Sequence, residues 1–141
     1  MFKAYNLRKY IFMLHNIASS YPPQQIGMVP LVQKLGELYR NIYRLSLKIS
    51  KRDRFGIHLK IENLCIDSLI FAIGAALDTY ESKLLKLKSL RINIEVLKQL
   101  IRMEHEIEVI KTKTYFSIEK QLQEVSKMTN GWINYLKEKT R

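Results

Sequence analysis

Cysteine, proline and glycine are scarce in this 141-residue chain, which has one, three and five of them. The single cysteine, Cys65, cannot form an intramolecular disulfide, so a disulfide-stabilised secreted scaffold is excluded and a reducing, cytoplasmic compartment is expected. The few glycines form no phosphate-binding loop. All three prolines lie within residues 1–30, so the rest of the chain lacks the residue that most strongly interrupts helices.

Long apolar runs are missing as well. The most apolar segment, residues 64–77, contains Asp67 and Ser68 and is shorter than the roughly 18–20 residues that cross a bilayer. We therefore interpret this segment as a buried helix and expect no association with a membrane. Cys65 lies inside it, where a lone cysteine is typical of a helical core.

The chain also has no catalytic or metal-binding motif. Its three histidines lack metal-ligand spacing, and neither an HExxH sequence nor the Glu-x-x-His pairs of di-iron bundles occur. Glu104, His105, Glu106 and Glu108 cluster along the chain, and nearby lysines predict that this cluster is a solvated group at a helix end. The sequence thus predicts a protein that is not an enzyme and has no catalytic residue, cofactor or metal site.

What the chain does contain is a regular apolar pattern, with alternating three- and four-residue spacing in four stretches. This spacing places the residues on one face of each helix and is typical of the seams along which helices pack. The four stripes are Leu31, Leu35, Leu38, Ile42, Leu45 and Ile49; Ile57, Ile61, Leu64, Ser68, Phe71 and Ala75; Leu87, Leu90, Ile94, Leu97 and Ile101; and Tyr115, Ile118, Leu122, Val125, Thr129, Trp132 and Leu136. They predict an all-α fold, an antiparallel up-down four-helix bundle that occupies residues 31–141 as one domain.

Short connections join the four predicted helices. The predicted bounds are about 31 to 49 for the first helix, 55 to 80 for the second, 109 for the end of the third and 137 for the end of the fourth. The boundary between the second and third helices lacks glycine and proline, which leaves one long kinked helix as an alternative. Thr112 or Thr114 is predicted to be the N-cap of the fourth helix. Gly131 in that helix predicts the close approach of a neighbouring backbone beside Trp132.

Residues 1–30 differ from the bundle in composition. They have no acidic side chain, and their proline-containing segments 21–23 and 28–30 are predicted to break any helix. We interpret them as a short basic N-terminal extension with a Pro-rich strap, or as the product of a mis-set start codon with Met28 as the true beginning. A signal peptide is a further alternative, although His15 and Asn16 interrupt its apolar part.

The second predicted helix is apolar on two sides. A helix that is apolar nearly all round must be buried on both of them. Its additional stripe is Ile66, Ile70, Ile73 and Leu77, and a weaker counterpart on the third helix is Ile92, Val96, Leu100 and Met103. We predict that the stripe on the second helix forms the interface of a homo-oligomer, and the alternative is that residues 1–30 cover it.

Positive charge is the other prominent feature, with 24 basic and 13 acidic residues giving a formal net charge of +11. Residues 31–54 are the most basic part of the bundle. The predicted nucleic-acid-binding residues are Arg40, Arg44, Lys48, Lys51, Arg52 and Arg54. The first four recur at helical spacing, which predicts one basic stripe beside the seam, flanked by Tyr39 and Tyr43 as candidates for stacking on bases. A solvated helix face is the alternative interpretation of such a stripe.

Three segments together suggest a family. They are the basic turn 51–55, which reads Lys-Arg-Asp-Arg-Phe, the segment 87–103, and the segment 125–133, which contains Met-x-x-Gly-Trp. In this order and spacing they resemble the accessory variability determinant proteins of diversity-generating retroelements. The four-helix proteins encoded in ribosomal RNA intervening sequences share the architecture, but the stretch 63–67 departs from their small-residue motif. Asn130 also stands where a second glycine is common in the accessory proteins.

The resemblance implies a bundle that assembles into a homopentameric barrel, binds nucleic acid through basic surface and partners a reverse transcriptase. In that setting the protein is not catalytic, and it assists the copying of a template-repeat RNA into adenine-mutagenised cDNA. The alternative function is a scaffold, or a protein of the ribosomal intervening-sequence type, that binds RNA or an acidic protein partner. Neighbouring genes distinguish the two, because a retroelement carries a reverse transcriptase and a pair of near-identical repeats.

Overall fold

The computed structural model describes residues 28–139, which form four long helices. They are α1 (Met28–Leu45), α2 (Ile57–Leu77), α3 (Tyr80–Glu106) and α4 (Thr112–Glu138). Each helix packs against its neighbours along the chain, and α1 also packs against α4, so the four helices close around one core. The predicted all-α four-helix bundle is therefore confirmed. Residues 1–27 of the predicted N-terminal extension lie outside the described residues.

The first helix begins earlier than the proline pattern predicts. Pro30 was expected to break the chain, yet α1 starts at Met28 and contains Pro30 in its first turn. A proline is tolerated there because the first backbone N–H groups of a helix have no partner within it, and the ring already fixes a helical φ. The prediction that residues 28–30 break the helix is wrong for this reason.

A compact turn follows α1. The chain passes through a 3-10 turn at Ser46–Lys48 and a single helical turn at Lys51–Arg54 before α2 begins. Ser50 is the N-cap of that helical turn, and its Oγ accepts a hydrogen bond from the backbone N–H of Asp53 at 3.4 Å. We call residues 46–56 the basic turn. It occupies one end of the bundle together with the joint between α3 and α4.

Helices α2 and α3 are separate, so the alternative of one kinked helix is wrong. Asp78 and Thr79 adopt extended backbone conformations between them. The Asp78 carboxylate accepts a hydrogen bond from the N–H of Thr79 and pairs with the ammonium group of Lys86 one turn into α3. Side-chain hydrogen bonds of this kind stop a helix without glycine or proline.

The joint between α3 and α4 ends α3 in a Schellman motif. The N–H of Val109 donates to the carbonyl of Glu104 at 2.8 Å, and the N–H of Glu108 donates to the carbonyl of His105 at 3.1 Å. Glu108 takes the left-handed conformation, with φ of 63°, at the position that glycine usually fills. The predicted threonine cap is wrong, because the N-cap of α4 is Lys111 and its side chain makes no capping hydrogen bond.

The core confirms the predicted seam of α3 and, apart from the partly buried Leu45, that of α1, and it corrects part of that of α2. The buried residues of α2 are His58, Ile61, Cys65, Ser68, Ala72, Ala75 and Ala76. The predicted Ile57, Leu64 and Phe71 are only partly buried at the edge of the core. Ile61, Ser68 and Ala75 are buried as predicted, whereas His58, Cys65 and Ala72 take the places of the other three. The seam of α2 is therefore shifted around the helix toward small side chains, which let neighbouring helices come closer than leucine or phenylalanine would allow.

In α4 the predicted stripe is largely buried, but two expectations about its last third differ from the structure. Ile133 is fully buried where Trp132 was expected, and Trp132 packs at the edge of the core. A Cβ atom added to Gly131 would meet no heavy atom within 4 Å. The expected close approach of a backbone is absent within the described residues, and nothing in their packing explains this glycine.

Candidate nucleic-acid interface

The predicted basic residues occupy two neighbouring elements rather than one helix. Arg40 and Arg44 lie four residues apart on the exposed surface of α1. Lys48, Lys51 and Arg52 are also exposed, but they belong to the basic turn. The expectation of a single helical stripe is wrong, because α1 ends at Leu45 and the chain changes direction before Lys51.

Arg54 has a structural role in the same turn. Its Nε donates to the carbonyl of Ser46 at 2.8 Å, and its Nη2 donates to the carbonyl of Ile49 at 3.3 Å. The guanidinium group thereby bridges two carbonyls of the turn that follows α1. Arg54 therefore holds the basic turn in shape, using two of its five N–H donors.

Four of the other basic side chains lack acidic neighbours. Within residues 28–139, no carboxylate lies within 4.0 Å of the charged groups of Arg40, Arg44, Lys48 or Lys51. Arg52 contacts Asp53 at 3.3 Å, and the Arg52 side chain is 89% exposed. The surface that α1 and the basic turn present is therefore strongly positive, which favours a polyanionic ligand.

Tyr39 and Tyr43 flank this surface as expected, although they differ in accessibility. Their ring centroids are 6.1 Å apart and tilted by 38°. Tyr43 is 53% exposed, whereas Tyr39 packs against the core. Burial raises the pKa of the Tyr39 phenol, and the nearby charge of Glu62 raises it further. Only Tyr43 presents enough of its ring to stack on a ligand.

Beneath this surface lies a buried pair that the sequence pattern missed. His58 on α2 and Glu104 on α3 are both fully buried. The Nδ1 of His58 is 2.8 Å from Oε1 of Glu104, and its Nε2 is 2.8 Å from the carbonyl oxygen of Ile42. The pair therefore joins α2 and α3 to a carbonyl in the last turn of α1.

The hydrogen bonds of His58 favour its protonated form. Burial lowers the pKa of His58, but the hydrogen bond and charge of Glu104, the Ile42 carbonyl and the charge of Glu62 together raise it above 6.5. Because Nε2 faces a carbonyl oxygen, that nitrogen donates a hydrogen bond. A protonated ring also donates from Nδ1 to the Glu104 carboxylate, and its charge lies at the negative end of α1.

Glu104 was expected in a solvated cluster, and this expectation is wrong. Its position continues the α3 stripe. Glu104 comes three residues after Ile101, which is the same spacing that separates Leu97 from Ile94. Reading the stripe one step further would have placed Glu104 in the core and called for a buried cationic partner. His105 and Glu106 do behave as surface residues, and Glu106 accepts a hydrogen bond from Arg102 at 2.9 Å.

A second surface of interest runs along α2 and α3. His58 of α2 contacts Glu104 of α3, and a Cβ added to Gly74 of α2 would lie 3.1 Å from Cδ of Lys86 of α3, so the two helices run antiparallel. These pairings place Ile70 level with Ile92. The large apolar side chains exposed on these two helices are Leu59, Ile66, Ile70, Leu85, Ile92, Val96 and Met103. Ile73 and Leu77, also predicted at the interface, are partly buried within the chain.

Other chemistry finds no support in residues 28–139. Within these residues, no group of three or more histidine, cysteine, aspartate or glutamate side chains could hold a metal ion. Burial and, to a smaller extent, the charge of Glu62 raise the pKa of the Cys65 thiol to about 12, so the thiol stays protonated and unreactive. Within the same residues, no helix is both long and apolar enough to cross a membrane.

Comparison with known proteins identifies the family of the bundle. No curated protein matches the chain. A family model described as bAvd-like matches residues 28–136, which include all four helices except the last two residues of α4. Because the match covers most of the sequence, the chain belongs to the bAvd-like family, and the resemblance to accessory variability determinant proteins is confirmed.

Proposed function

We propose that this protein is a non-catalytic accessory factor that binds nucleic acid and assists the reverse transcriptase of a diversity-generating retroelement. Membership of the bAvd-like family supports the setting. The observation that carries the proposal is the exposed, uncompensated positive charge of Arg40, Arg44, Lys48 and Lys51. Such a surface attracts the phosphates of a template RNA or of another nucleic acid, with little dependence on base sequence.

The charge proposal is tested with two variants that remove three positive charges each. In the first, Arg40, Arg44 and Lys48 become glutamine. In the matched control, the exposed Lys120, Lys127 and Lys139 at α4 become glutamine. The first variant is therefore R40Q with R44Q and K48Q, and the control is K120Q with K127Q and K139Q.

We expect the first variant to bind RNA more weakly and with a flatter salt dependence, because each lost phosphate contact lowers the slope of log K against log salt by about 0.7–0.9. The control variant should stay close to wild type in both quantities. Equal losses in the two variants would mean that only the overall charge matters, and wild-type affinity that is insensitive to salt would contradict the proposal.

The proposed assembly is a homo-oligomer, and a pentamer is what the family resemblance implies. Support comes from the apolar face on α2 and α3, where Ile70 is 43% and Ile92 is 62% exposed. Several exposed apolar side chains on two neighbouring helices favour an interaction surface. A ring of subunits would bury it and collect the basic surfaces of several chains in one particle, which strengthens binding through multivalency.

Sedimentation tests the assembly. Ile70→Glu places a charge on the apolar face and should reduce the mass at micromolar concentration without loss of helicity, because the core is untouched. Leu47→Glu is a matched control, since Leu47 is an exposed leucine of the basic turn away from this face. A monomeric wild-type chain, or an Ile70→Glu variant of unchanged mass, would contradict the proposed interface.

The reverse transcriptase is the proposed protein partner. Co-purification of this chain with the transcriptase from the same locus, and dependence of mutagenic cDNA synthesis on its presence, are the expected results. A locus that instead holds the gene inside ribosomal RNA, without a reverse transcriptase or repeat pair, would favour the scaffold function. In that case the basic surface would serve RNA or an acidic protein.

A further inference from the structure

One end of the bundle combines two chain segments that are distant in sequence. The basic turn lies beside the joint between α3 and α4, which we take as residues 107–111. Between them is a cleft of about 170 Å³. The cleft is lined by Leu45, Lys48, Ile49, Val109, Ile110, Lys111 and Thr114. The proposed function uses α1 and the basic turn, so the contribution of the joint is unassigned.

Exposed rings are concentrated at this end. Phe55, at the end of the basic turn, and Phe116, in the second turn of α4, are each 63% exposed. Leu47 and Ile107 at the same end are also exposed, but they carry no ring. The two phenylalanine rings contribute little to the core at this level of exposure and are accessible to a ligand.

The same end is strongly basic. Residues 46–56 and 107–114 carry six basic and two acidic side chains. Of the two acids, Asp53 is already bound to Ser50 and Arg52, whereas Glu108 is exposed. Within the described residues, neither Lys111 nor Lys113 has a carboxylate within 4.0 Å. Unlike a purely apolar docking site, this surface therefore attracts anions.

Both segments are held in place before any ligand arrives. Tyr115 stacks on His105 with ring centroids 4.6 Å apart and an interplanar angle of 11°. His105 Nε2 is 3.0 Å from the Thr112 hydroxyl oxygen, and the Phe116 ring lies 5.5 Å from that of Tyr115. On the other segment, Arg54 fixes the basic turn through its backbone hydrogen bonds. Such preorganisation lowers the entropic cost of binding.

We propose that this end of the bundle binds single-stranded nucleic acid, with unpaired bases stacking on Phe55 and Phe116 while Lys48, Lys111 and Lys113 contact phosphates. The inference rests on the proposed nucleic-acid binding and adds the form of the ligand and a second segment of the site. Exposed rings within a basic surface are the usual platform for unpaired bases. A duplex keeps its bases stacked internally and gains nothing from the two rings.

The test compares a single-stranded RNA of about 15 nucleotides with a duplex of the same sequence, by fluorescence anisotropy on the full chain. Phe55 and Phe116 are changed together to leucine, which keeps an apolar side chain but removes the ring. The matched control changes the exposed Leu47 and Ile107 to alanine. A third variant, K111Q with K113Q, removes two charges from the joint.

We expect wild type to prefer the single strand. The double leucine variant should lose at least about fivefold in affinity for the single strand, with duplex affinity and the salt slope unchanged. The lysine variant should instead lower the single-strand slope of log K against log salt by about 1.4. The alanine control should bind both ligands as wild type does.

Each opposite result overturns the inference. Unchanged single-strand affinity in the leucine variant, or equal loss for strand and duplex, would exclude stacking. Loss in the alanine control equal to that in the leucine variant would mean that the rings contribute no more than other exposed apolar side chains, which would also exclude stacking. Duplex preference in wild type would overturn this inference alone, whereas no binding of either ligand would also overturn the proposed function.

A measurement on wild type makes the test independent of variant folding. A single strand that contains 5-iodouracil is photo-crosslinked to the protein, and the attached peptides are identified by mass spectrometry. Crosslinks at Phe55 or Phe116 are the expected result. Crosslinks confined to other parts of the chain would contradict the proposed position of the bases.

Discussion

Helices α1 and α2 have similar lengths, but their sequences constrain packing in different ways. In α1 the apolar residues occupy one face, and Leu31, Leu35, Leu38 and Ile42 are all buried as the pattern predicts. In α2 apolar residues surround the helix, and the buried face is made largely of small side chains. Hydrophobicity identifies the packed face of a helix only where the apolar residues are confined to one side. In a helix that is apolar on several sides, side-chain size and buried polar partners decide which face is packed.

The largest expected effect breaks the polar contact that fixes α2 in the core. Glu104→Ala leaves His58 buried without its anionic partner, and loss of one member of a buried pair costs about 3–5 kcal/mol of unfolding free energy. Urea titration followed by Trp132 fluorescence measures the loss at fixed protein concentration. Glu95→Ala on the same helix is the control, because Glu95 is exposed, and it should cost less than about 1 kcal/mol.

A Glu104→Ala variant that is as stable as the control would contradict the stabilising role of the His58–Glu104 pair. It would mean that His58 finds an equivalent partner, for which Glu62 is the nearest group, at 3.5 Å from Nε2. The double variant with Glu62→Gln would then separate the two carboxylates.

The second prediction compares one leucine from each helix. Leu38→Ala on α1 removes a fully buried side chain and should cost about 2–5 kcal/mol. Leu64→Ala on α2 removes a side chain that is only partly buried at the edge of the core, so we expect about 1–2 kcal/mol. Urea unfolding of the two variants checks the difference. Equal losses of unfolding free energy would mean that Leu64 is packed as deeply as Leu38, which would contradict the shifted seam of α2.

Much of the fold could be predicted from the sequence, because the apolar residues at three- and four-residue spacing in α1, α3 and most of α4 are the ones that the core buries. The displaced seam of α2 could not, since Leu64 and Cys65 are both apolar and only the neighbouring helices distinguish them. The end of α1 at Leu45 was also missed, because apolar spacing continues through the turn to Ile49. That continuity led to the prediction of a single basic stripe.

The candidate site divides in the same way. Exposed charge at Arg40 and Arg44 follows directly from helical spacing, since these positions lie off the apolar seam. The structural role of Arg54 depends on a turn whose backbone geometry is not encoded in a simple pattern. The burial of His58 depends on Glu104, 46 residues away, and no local pattern connects the two.

The third prediction concerns pH and again belongs to α2. The pKa of His58 is raised in the folded state, so its protonated form stabilises the fold. The contribution is complete below the unfolded pKa of about 6.5 and is lost as pH rises through the higher folded value. Each unit by which the pKa is raised corresponds to about 1.4 kcal/mol.

Urea unfolding between pH 6 and 9 measures this contribution. We expect stability to fall in the lower part of this range for wild type, and the fall to be absent in His58→Gln. The groups that face His58 are Glu104, Glu62 and the Ile42 carbonyl. None of these groups is cationic, so His58 is the one cation among them that can lose its proton. Stability that rises with pH over this interval would mean that His58 is neutral in the fold.

The smallest expected effect uses one glycine from each helix. A Cβ at Gly36 on α1 would meet only the end of the flexible Arg40 side chain, at 3.4 Å. Gly36→Ala should therefore raise the free energy of unfolding by about 0.5–1 kcal/mol, because alanine is the better helix former.

At Gly74 on α2, the added Cβ would lie 3.1 Å from Cδ of Lys86, which also pairs with Asp78. Gly74→Ala must displace that side chain, so its gain should be smaller or become a loss. Urea midpoints of the two variants provide the measurement. A gain at Gly74 equal to that at Gly36 would show that the Lys86 side chain yields freely, and that α2 is less constrained by α3 than the packing at this level indicates.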